Sequence, residues 1–368
     1  MRQSLLKMLR SPKSREPLML YIFESVKSPV NSEEDVTEGI LVAAKSNRAY
    51  PITNGVPVML ESSFTRGFLQ KHAEKISQNE MLSKLSLCMQ KDPVWSFSTE
   101  WNYHFDFNLT KTWGWTIDER VQQFFLETDT KPDEINGRLI LDAGCGNGQL
   151  SEELSKLAAT VVAMDYSTSV FVAEKFRKLP NVHFIQGDLQ APPFEVDTFD
   201  IIISNGVIHH TPDTYKTFVE VAKLVKPGGC FYLWLYRKPE KFFRRYFLYT
   251  ILDLMRITIS RLPSGPQAIM VKIYAVALMV LHKILGRAKH RSWRERVVLA
   301  YDSLTPLWRH YHTPLQLSCW FFMNGYSYPT ITHWDNPYGF GMVATKKPQA
   351  DTPGVNFGRR RIAKRYWQ

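Results

Sequence analysis

The sequence has few cysteines, and none of them is paired in a metal-binding pattern. Its 368 residues include only Cys88, Cys145, Cys230 and Cys319, which form no C-x-x-C. This spacing excludes a zinc ribbon built on paired thiolates, so we expect no metal site. So few cysteines in so long a chain are typical of a reducing compartment, which predicts a cytoplasmic protein.

Long uncharged apolar runs are also missing. No stretch of 18 apolar residues is free of charged or polar interruption, so we expect no transmembrane span. The basic N-terminus lacks the apolar stretch and the small-residue cleavage site of a secretory signal. These absences favour a globular protein, in which contact with a membrane is at most peripheral.

Charge, by contrast, is abundant and of one sign. The net charge is +11 and the pI is near 9.3, and residues 359–365 alone carry five positive charges. We interpret this mainly as solubility plus a basic tail. Anionic partners such as RNA, a membrane surface or a phosphorylated substrate are the alternatives.

Composition and periodicity divide the chain into four parts. Residues 1–62 are rich in strand and turn signals, including the Asn54-Gly55 turn, and residues 63–135 are first helical and then aromatic. Residues 136–347 alternate strands with helices, except for a basic, apolar, helical insert at 238–312. This alternation predicts an α/β fold with parallel strands, right-handed crossovers and helices on both faces. Residues 348–368 are predicted to be a disordered tail.

A glycine loop carries the chemistry. LDAGCGNG at residues 141–148 ends one predicted strand and opens a helix, where Gly144 and Gly146 let the backbone approach a ligand closely. Asp165 ends the next strand about 20 residues later, where a carboxylate can accept both hydroxyls of a ribose. The third strand ends in Gly187-Asp188-Leu189 and the fourth in Asn205. These features suit a cofactor containing a nucleoside, without separating one such cofactor from another.

The successive motifs resemble those of class I S-adenosylmethionine (SAM)-dependent methyltransferases. LDAGCGNG, MDYS, GDL, FDIIISNGVIHHTPD and LVKPGGCFYLWLY occur in the family's order over about 100 residues, and a looser likeness runs from Trp95 to Lys347. The G-x-G-x-x-G spacing that nicotinamide cofactors favour is missing. The resemblance implies a Rossmann-like, seven-stranded, mostly parallel sheet, with a small β-rich module and a helical insert added.

The resemblance also implies which residues bind SAM. Asp142 and the backbone of the glycine loop should hold the methionine end, Asp165 the ribose, and Asp188 with Leu189 the adenine, while Asn205 lines the crevice. The full set of predicted cofactor-binding residues is Asp142, Gly144, Cys145, Gly146, Asp165, Tyr166, Asp188, Leu189 and Asn205. We expect Cys145 to act in packing rather than as a nucleophile.

Methyl transfer to an alcohol or phenol needs a proton acceptor. His209 and His210 follow the fourth strand and are the predicted catalytic residues, although such a pair also often packs the scaffold. His310, Tyr311 and His312 follow the insert and could face the same crevice.

The residues after the fourth strand also bear on the acceptor. They match neither the N/D-P-P-Y pattern of nucleobase amino methylases nor a cytosine methylase cysteine. We therefore expect an enzyme acting on an oxygen or nitrogen of a small-molecule or glycan-type acceptor. An RNA methyltransferase and a non-catalytic SAM-binding or partner-binding protein are the alternatives.

Residues 1–60 resemble the small zinc-ribbon family that activates transfer-RNA methyltransferases. That family's four cysteine positions are Ser11, Ser14, Ala43 and Ser46 here, so we predict no zinc. The aromatic stretches FSTEWNYHFDF and KTWGW are predicted either to cap the cofactor or to pack the core. The insert could form a substrate lid, a homodimer face, a membrane-surface contact or plain helical core.

Overall fold

The structure is a computed structural model. It describes residues 1–27, 34–89, 97–101, 111–112, 114–157, 160–239, 249–284, 292–333, 336 and 338–348. Nearly all of the predicted tail lies outside the described residues, as do Trp113 and residues 102–107 of the aromatic stretches.

Strands and helices alternate through the second half of the chain, as predicted. The strands are β1 (Met19–Lys27), β2 (Glu34–Ala43), β3 (Arg48–Thr53), β4 (Val56–Met59), β5 (Lys111–Thr112), β6 (Trp115–Thr116), β7 (Leu139–Ala143), β8 (Thr160–Asp165), β9 (Val182–Gly187), β10 (Phe199–Asn205), β11 (Val225–Tyr236), β12 (Thr330–Ile331) and β13 (Gly339–Thr345). The helices are α1 (Gln3–Leu6), α2 (Arg66–Lys71), α3 (Ala73–Gln78), α4 (Glu80–Ser83), α5 (Ile117–Thr128), α6 (Gln149–Ser155), α7 (Ser169–Phe176), α8 (Thr214–Ala222), α9 (Tyr249–Ile259), α10 (Ser264–Ile284), α11 (Trp293–Leu304) and α12 (Pro314–Met323). Short 3-10 turns lie at Pro132–Ile135 and Ile208–His210.

One large mixed sheet holds these elements together. Its strand order is β1-β2-β3-β4-β9-β8-β7-β10-β11-β13-β12, with parallel pairs from β4 through β11 and antiparallel pairs toward both edges. Residues 139–345 supply seven of these strands in a Rossmann-like order. The sheet has eleven strands rather than the predicted seven, because the four N-terminal strands extend it.

The extension is made by a hairpin. Asn54 and Gly55 have φ values of 49° and 83°, the left-handed pair that a two-residue hairpin turn requires. The turn sends β4 back along β3, and β4 then pairs parallel with β9 through Val58 opposite Gln186. All four residues of β4 are buried, as expected for an interior strand.

The apolar core also crosses the predicted boundary at residue 62. Met1, Leu5 and Leu9 belong to the same buried cluster as Leu141 and Phe218. The division into a module and a methyltransferase part therefore stays a prediction, since sheet and core are continuous across it.

The insert forms a helical unit of its own. Ile259 of α9, Val271 and Ala275 of α10, and Ala300 and Tyr301 of α11 form a separate buried cluster. A capping box between Ser292 and Glu295 starts α11.

One described helix meets the length and hydropathy of a membrane span, so the expectation of no transmembrane span stays a prediction. α10 has 21 residues and a mean hydropathy of 1.5, which meets that test by length and composition. Lys272 and His282 interrupt the apolar residues of α10, but the mean hydropathy of the helix still meets the test. Length and composition alone are weak grounds for a span, and only 17% of the window is buried.

Candidate functional site

The glycine loop lies where β7 gives way to α6. Gly144 has φ +98°, and a Cβ there would lie 2.3 Å from a side-chain carbon of Val207. Gly146 has φ +57°, and a Cβ there would lie 2.5 Å from the ring of Trp101. Both positions therefore require glycine, for backbone conformation and for space. The Gly144 amide donates to the Met164 carbonyl at 2.8 Å, which fixes the loop against β8.

Asp165 is held rigidly at the end of β8. Its Oδ2 accepts from the Gly146 amide and its Oδ1 from the Ser167 amide, both at 2.8 Å. A carboxylate has about four acceptor sites, so two amides leave capacity for a ligand's hydroxyl groups. The structure thus brings the predicted ribose carboxylate against the predicted loop.

Asp142 lies beneath the loop, beside an arginine that the sequence analysis missed. Its Oδ2 accepts from Ser151 Oγ at 2.6 Å. Burial raises the pKa of Asp142 to about 6, while the Ser151 hydrogen bond and the Arg120 guanidinium act in the opposite direction. Burial lowers the pKa of Arg120, whose Nη1 is buried and has no hydrogen-bond partner among the described residues. An anionic ligand group could satisfy that donor.

The residues predicted at the adenine lie on neighbouring strand ends. Asp165 pairs with Gln186 across β8 and β9, and the Gln186 side chain donates to the Tyr166 carbonyl at 3.0 Å. Asp188 Oδ1 accepts from the Gln190 amide, and burial raises the pKa of Asp188. Tyr166 is 46% exposed, and Leu189 belongs to the main apolar core.

Cys145 and Asn205 differ sharply in exposure. The Cys145 side chain is buried in the second apolar cluster, and burial raises the pKa of its thiol well above the usual value. A thiol in this state is a poor nucleophile, which agrees with a packing role. Asn205 is exposed at the end of β10.

The predicted catalytic histidines have different surroundings. His209 is fully buried with its ring 4.0 Å from that of Tyr236, and neither ring nitrogen has a hydrogen-bond partner among the described residues. His210 is half-buried, with Nδ1 2.9 Å from the Trp308 carbonyl. Since a carbonyl only accepts, Nδ1 donates and Nε2 is left as an acceptor. Burial lowers the pKa of His210 to about 3, so the ring is neutral near pH 7.

The segment after the insert closes over this histidine pair. The His310 amide donates to the His209 carbonyl at 2.9 Å, and His312 pairs with Arg237 at the end of β11. Tyr311 lies 6.1 Å from Tyr236, centroid to centroid. His310 therefore reaches the histidine pair, whereas His312 Nδ1 contacts Gln316 at 3.2 Å.

Three further side chains surround Tyr236, none of which the sequence motifs indicated. The Tyr236 hydroxyl donates to Asp302 of α11 at 3.2 Å, and the Arg309 guanidinium lies 4.5 Å above the Tyr236 ring. Glu100 is buried, and its Oε2 has no hydrogen-bond partner among the described residues. Burial, followed by the charges of Asp302 and Asp165, raises the pKa of Glu100 well above its usual range.

The helical segment at residues 97–101 connects the two halves of the site. Phe97 contacts His210 with ring centroids 5.3 Å apart, and Ser98 Oγ accepts from the Thr168 amide at 3.1 Å. Trp101 lies against Gly146. This part of the predicted aromatic cap thus touches both the glycine loop and the histidine pair.

The positions of the missing zinc ligands are joined by a carboxylate. Ser14 and Ser46 hydroxyls lie 3.4 Å apart, and Glu16 accepts from the amides of Lys45 and Ser46 at 2.9 and 3.0 Å. Burial opposes the shift, but hydrogen bonds from both serines lower the pKa of Glu16.

The other two positions are Ser11, whose hydroxyl lies 3.1 Å from that of Tyr50, and the buried Ala43. Within the described ranges, no group of three His, Cys, Asp or Glu could hold a metal. The absence of zinc stays a prediction.

Comparison with known proteins gives a family match for the central strands. Residues 141–233 match the family model described as "Methyltransferase domain". The chain is 31% identical over 134 residues to a ubiquinone biosynthesis O-methyltransferase of Coxiella burnetii, covering 36% of this chain and 55% of the relative. It is 32% identical over 95 residues to a demethylmenaquinone methyltransferase of Renibacterium salmoninarum, covering 26% and 40%. The chain thus spans about half the length of the relatives it matches, or less.

Solved structures give more distant likenesses. A SAM-dependent methyltransferase from Mesorhizobium loti is similar with a TM-score of 0.40 and 16% identity, over 62% of this chain and 100% of that one. A SAM-bound magnesium protoporphyrin IX methyltransferase from Synechocystis has a TM-score of 0.35 and 17% identity, over 63% and 78%. The strand order of the sheet is Rossmann-like, and its central strands fall largely within the match at residues 141–233. Residues 141–233 thus carry a methyltransferase domain within a Rossmann-like sheet.

Proposed function

We propose that the protein transfers a methyl group from SAM to an oxygen or nitrogen of a small-molecule acceptor. The observation that carries the proposal is the glycine loop locked to Asp165, because its two required glycines and its oriented carboxylate suit the nucleoside end of SAM. The names of the relatives, an O-methyltransferase of ubiquinone biosynthesis and a demethylmenaquinone methyltransferase, favour small acceptors.

The cofactor would lie along the carboxyl edge of β7, β8 and β9. Arg120 has an unsatisfied donor for the methionine carboxylate, and Asp142 would accept from the amino group. Tyr166, beside Asp165, presents an exposed ring at the ribose. The proposed cofactor-binding residues are Arg120, Asp142, Gly144, Cys145, Gly146, Asp165, Tyr166, Asp188, Leu189 and Asn205.

SAM supplies an activated methyl group on a sulfonium when it is bound. The chain must then orient the acceptor and exclude water. His210 Nε2, which the Trp308 contact leaves free to accept, would accept a hydrogen bond from the reacting hydroxyl or amine, and the proton released by methyl transfer would pass to solvent. A pKa near 3 makes His210 a weak base, so its main contribution would be to orient a hydroxyl or amine by hydrogen bonding. His209 is proposed to pack against the Tyr236 ring and so to stabilise the aromatic side of the crevice.

Calorimetry of SAM and S-adenosylhomocysteine binding tests the cofactor site. We expect micromolar binding by the wild type, no detectable binding by Asp165→Ala, and unchanged binding by Asp133→Ala, which removes an exposed carboxylate elsewhere. Equal binding by both variants would overturn the site. A screen of phenols, alcohols and amines for methyl incorporation would follow, with His210→Ala beside the wild type.

Two rival functions have distinct signatures. An RNA methyltransferase would bind RNA with an affinity that falls steeply with salt and would methylate it. A non-catalytic protein would bind SAM with no turnover on any acceptor. The cytoplasmic location stays a prediction.

A further inference from the structure

The outer face of α10 is apolar and uncovered. The side of the helix that packs in the insert carries Gln267, Val271 and Ala275, at intervals of four residues. The opposite side carries exposed apolar residues at intervals of four, three, four and four, a spacing that places them on one helix face. They are Ile269, Ile273, Val276, Val280 and Ile284, with exposures of 61%, 56%, 44%, 48% and 75%.

A second helix of the insert adds to this surface. On α9, Ile251, Leu254 and Ile257 are exposed at intervals of three residues. Both helices pack against α11, so the two apolar faces belong to one helical unit. At 1.5 Å per residue α10 alone is about 30 Å long, which makes the face far larger than scattered surface residues produce.

Positive charge accompanies the apolar face. Residues 254–294 contain eight Lys and Arg and no Asp or Glu, and the whole insert at 238–312 contains fourteen basic and four acidic residues. Its net charge is therefore +10 of the chain's +11. Exposed Lys272 precedes Val276 by four residues, and Lys283 follows Val280 by three, so both lysines border the apolar stripe.

We propose that the outer face of α10, together with α9, docks the protein on an anionic lipid surface, with α10 lying in the interfacial plane. The apolar face of α10 is bordered by lysines and that helix has no acidic residue, while Asp253 of α9 is paired with Arg256 at 3.3 Å. Such a face fits that surface, because acyl chains take the apolar side chains and anionic headgroups take the lysines.

Other occupants fit the same face less well. Across an interface between two copies the insert would meet its own charge of +10, and lysine is depleted at protein interfaces. RNA would leave the isoleucines in water. If α10 spanned a membrane, it would lose its packing against α11, because the first turn of α11 carries the charged residues Arg294, Glu295 and Arg296.

The docking face is fixed relative to the histidine crevice. Arg256 of α9 donates to the carbonyls of Pro306 and Leu307 at 2.9 and 2.7 Å, just before Trp308. Asp302 of α11 accepts from Tyr236. An acceptor with an apolar chain could therefore be taken from the lipid surface. That consequence rests on the proposed function, whereas the docking itself does not.

Vesicle flotation with the full-length protein tests the docking. Vesicles of phosphatidylcholine with phosphatidylglycerol are compared with pure phosphatidylcholine, at low and high salt. We expect binding to the anionic vesicles that weakens with salt. Lys272→Gln with Lys283→Gln should reduce the partition coefficient ~30-fold. Ile273→Gln with Val280→Gln should reduce it ~100-fold or more.

Matched variants control for charge and exposure. Lys45→Gln with Lys178→Gln removes two exposed lysines elsewhere, and Leu126→Gln with Leu315→Gln replaces two side chains that are 71% and 75% exposed. Both should bind vesicles like the wild type. Far-ultraviolet circular dichroism shows that each variant is folded, and SAM calorimetry without lipid separates failure of docking from failure of the proposed function.

Several results would overturn the docking. The first two are absence of binding to anionic vesicles and wild-type binding by the stripe variant, Ile273→Gln with Val280→Gln. A wild-type dimer that dissociates in the stripe variant would assign the face to a second copy. Resistance of the native protein to alkaline extraction would indicate a membrane-spanning helix. RNA binding lost in the lysine variant but kept in the stripe variant would assign the face to RNA instead.

Discussion

Asp142 is a buried carboxyl whose ionisation opposes folding. Its pKa is about 6 in the folded protein against an ordinary value of 3.8, so its stabilising contribution is full below pH 3.8 and is lost as the pH rises through 6. Asp142→Asn should therefore be more stable than the wild type at pH 7.5, by up to about 3 kcal/mol. The difference should grow between pH 4 and 6 and then level off.

Denaturant unfolding of both proteins across that pH range measures the effect. The same variant should bind SAM more weakly, because the carboxylate would be lost at the methionine end. A stability difference independent of pH would contradict the assignment of the shift to Asp142.

Alanine variants at Gly146 and Gly137 distinguish the effect of backbone strain from the effect of a clash with Trp101. Both have left-handed φ values, +57° and +69°, but a Cβ at Gly146 meets Trp101 whereas none lies within 4 Å at Gly137. Each alanine variant should lose ~1–2 kcal/mol of unfolding free energy to backbone strain, and Gly146→Ala should lose more because its Cβ meets Trp101. Only Gly146→Ala should also lose SAM binding, measured by calorimetry. If Gly137→Ala loses it too, global destabilisation is the cause.

The sequence predicted site residues that follow their own strand and missed those that reach the site through folding. The glycine loop and Asp165 are set by local strand-to-helix turns, so their spacing identifies them. Arg120, Glu100 and Asp302 each lie on a helical element as single charged residues with no local pattern. Only long-range packing brings these residues into the site, as when α5 packs against β11 and Asp302 accepts from Tyr236.

At the scale of elements, residues 97–101 bridge the glycine loop and the histidine pair. Trp101→Ala would free the space over Gly146 and remove the contact that orders this segment. We expect SAM binding at least ~10-fold weaker by calorimetry, about the loss of one buried aromatic contact. Trp115→Ala, at a tryptophan that is 48% exposed, should leave it unchanged. Equal binding by both variants would mean that the segment is not part of the cofactor site.

Elements with strong local signals were predicted well. Thr116 caps α5 through a capping box with Glu119, a local pattern that by itself predicts a helix start. The Asn54-Gly55 hairpin and the helical insert were also correct. β1 was not predicted, because most of its residues are exposed and carry no clear alternation. β12 is only two residues long, Thr330–Ile331, because its pairing with β13 is limited to those residues.

Over the whole molecule, charge and apolar surface are concentrated in the same unit. The sheet and its loops carry little net charge, and the insert carries nearly all of it. The proposed cofactor site lies at the edge of the sheet, whereas the surface proposed to deliver an acceptor lies on the insert. The total charge of +11 left anionic partners as alternatives to solubility and a basic tail, and the exposed apolar side chains of α10 favour a lipid surface over RNA.

The continuity of the sheet predicts that the N-terminal residues and the methyltransferase domain unfold together. The ten tryptophans all lie at Trp95 or beyond, so their fluorescence reports only on the remainder of the chain. Leu9 is fully buried in the core shared with Leu141, and Leu9→Ala should lower the unfolding free energy by ~2–5 kcal/mol. Unfolding monitored by tryptophan fluorescence should report this loss of unfolding free energy. Met19→Ala, at a side chain 40% exposed, should leave it nearly unchanged. If Leu9→Ala leaves the tryptophan midpoint unmoved while a separate early transition appears by circular dichroism, residues 1–62 form an independent module. The β4–β9 pairing would then be an interface between two folding units rather than part of one.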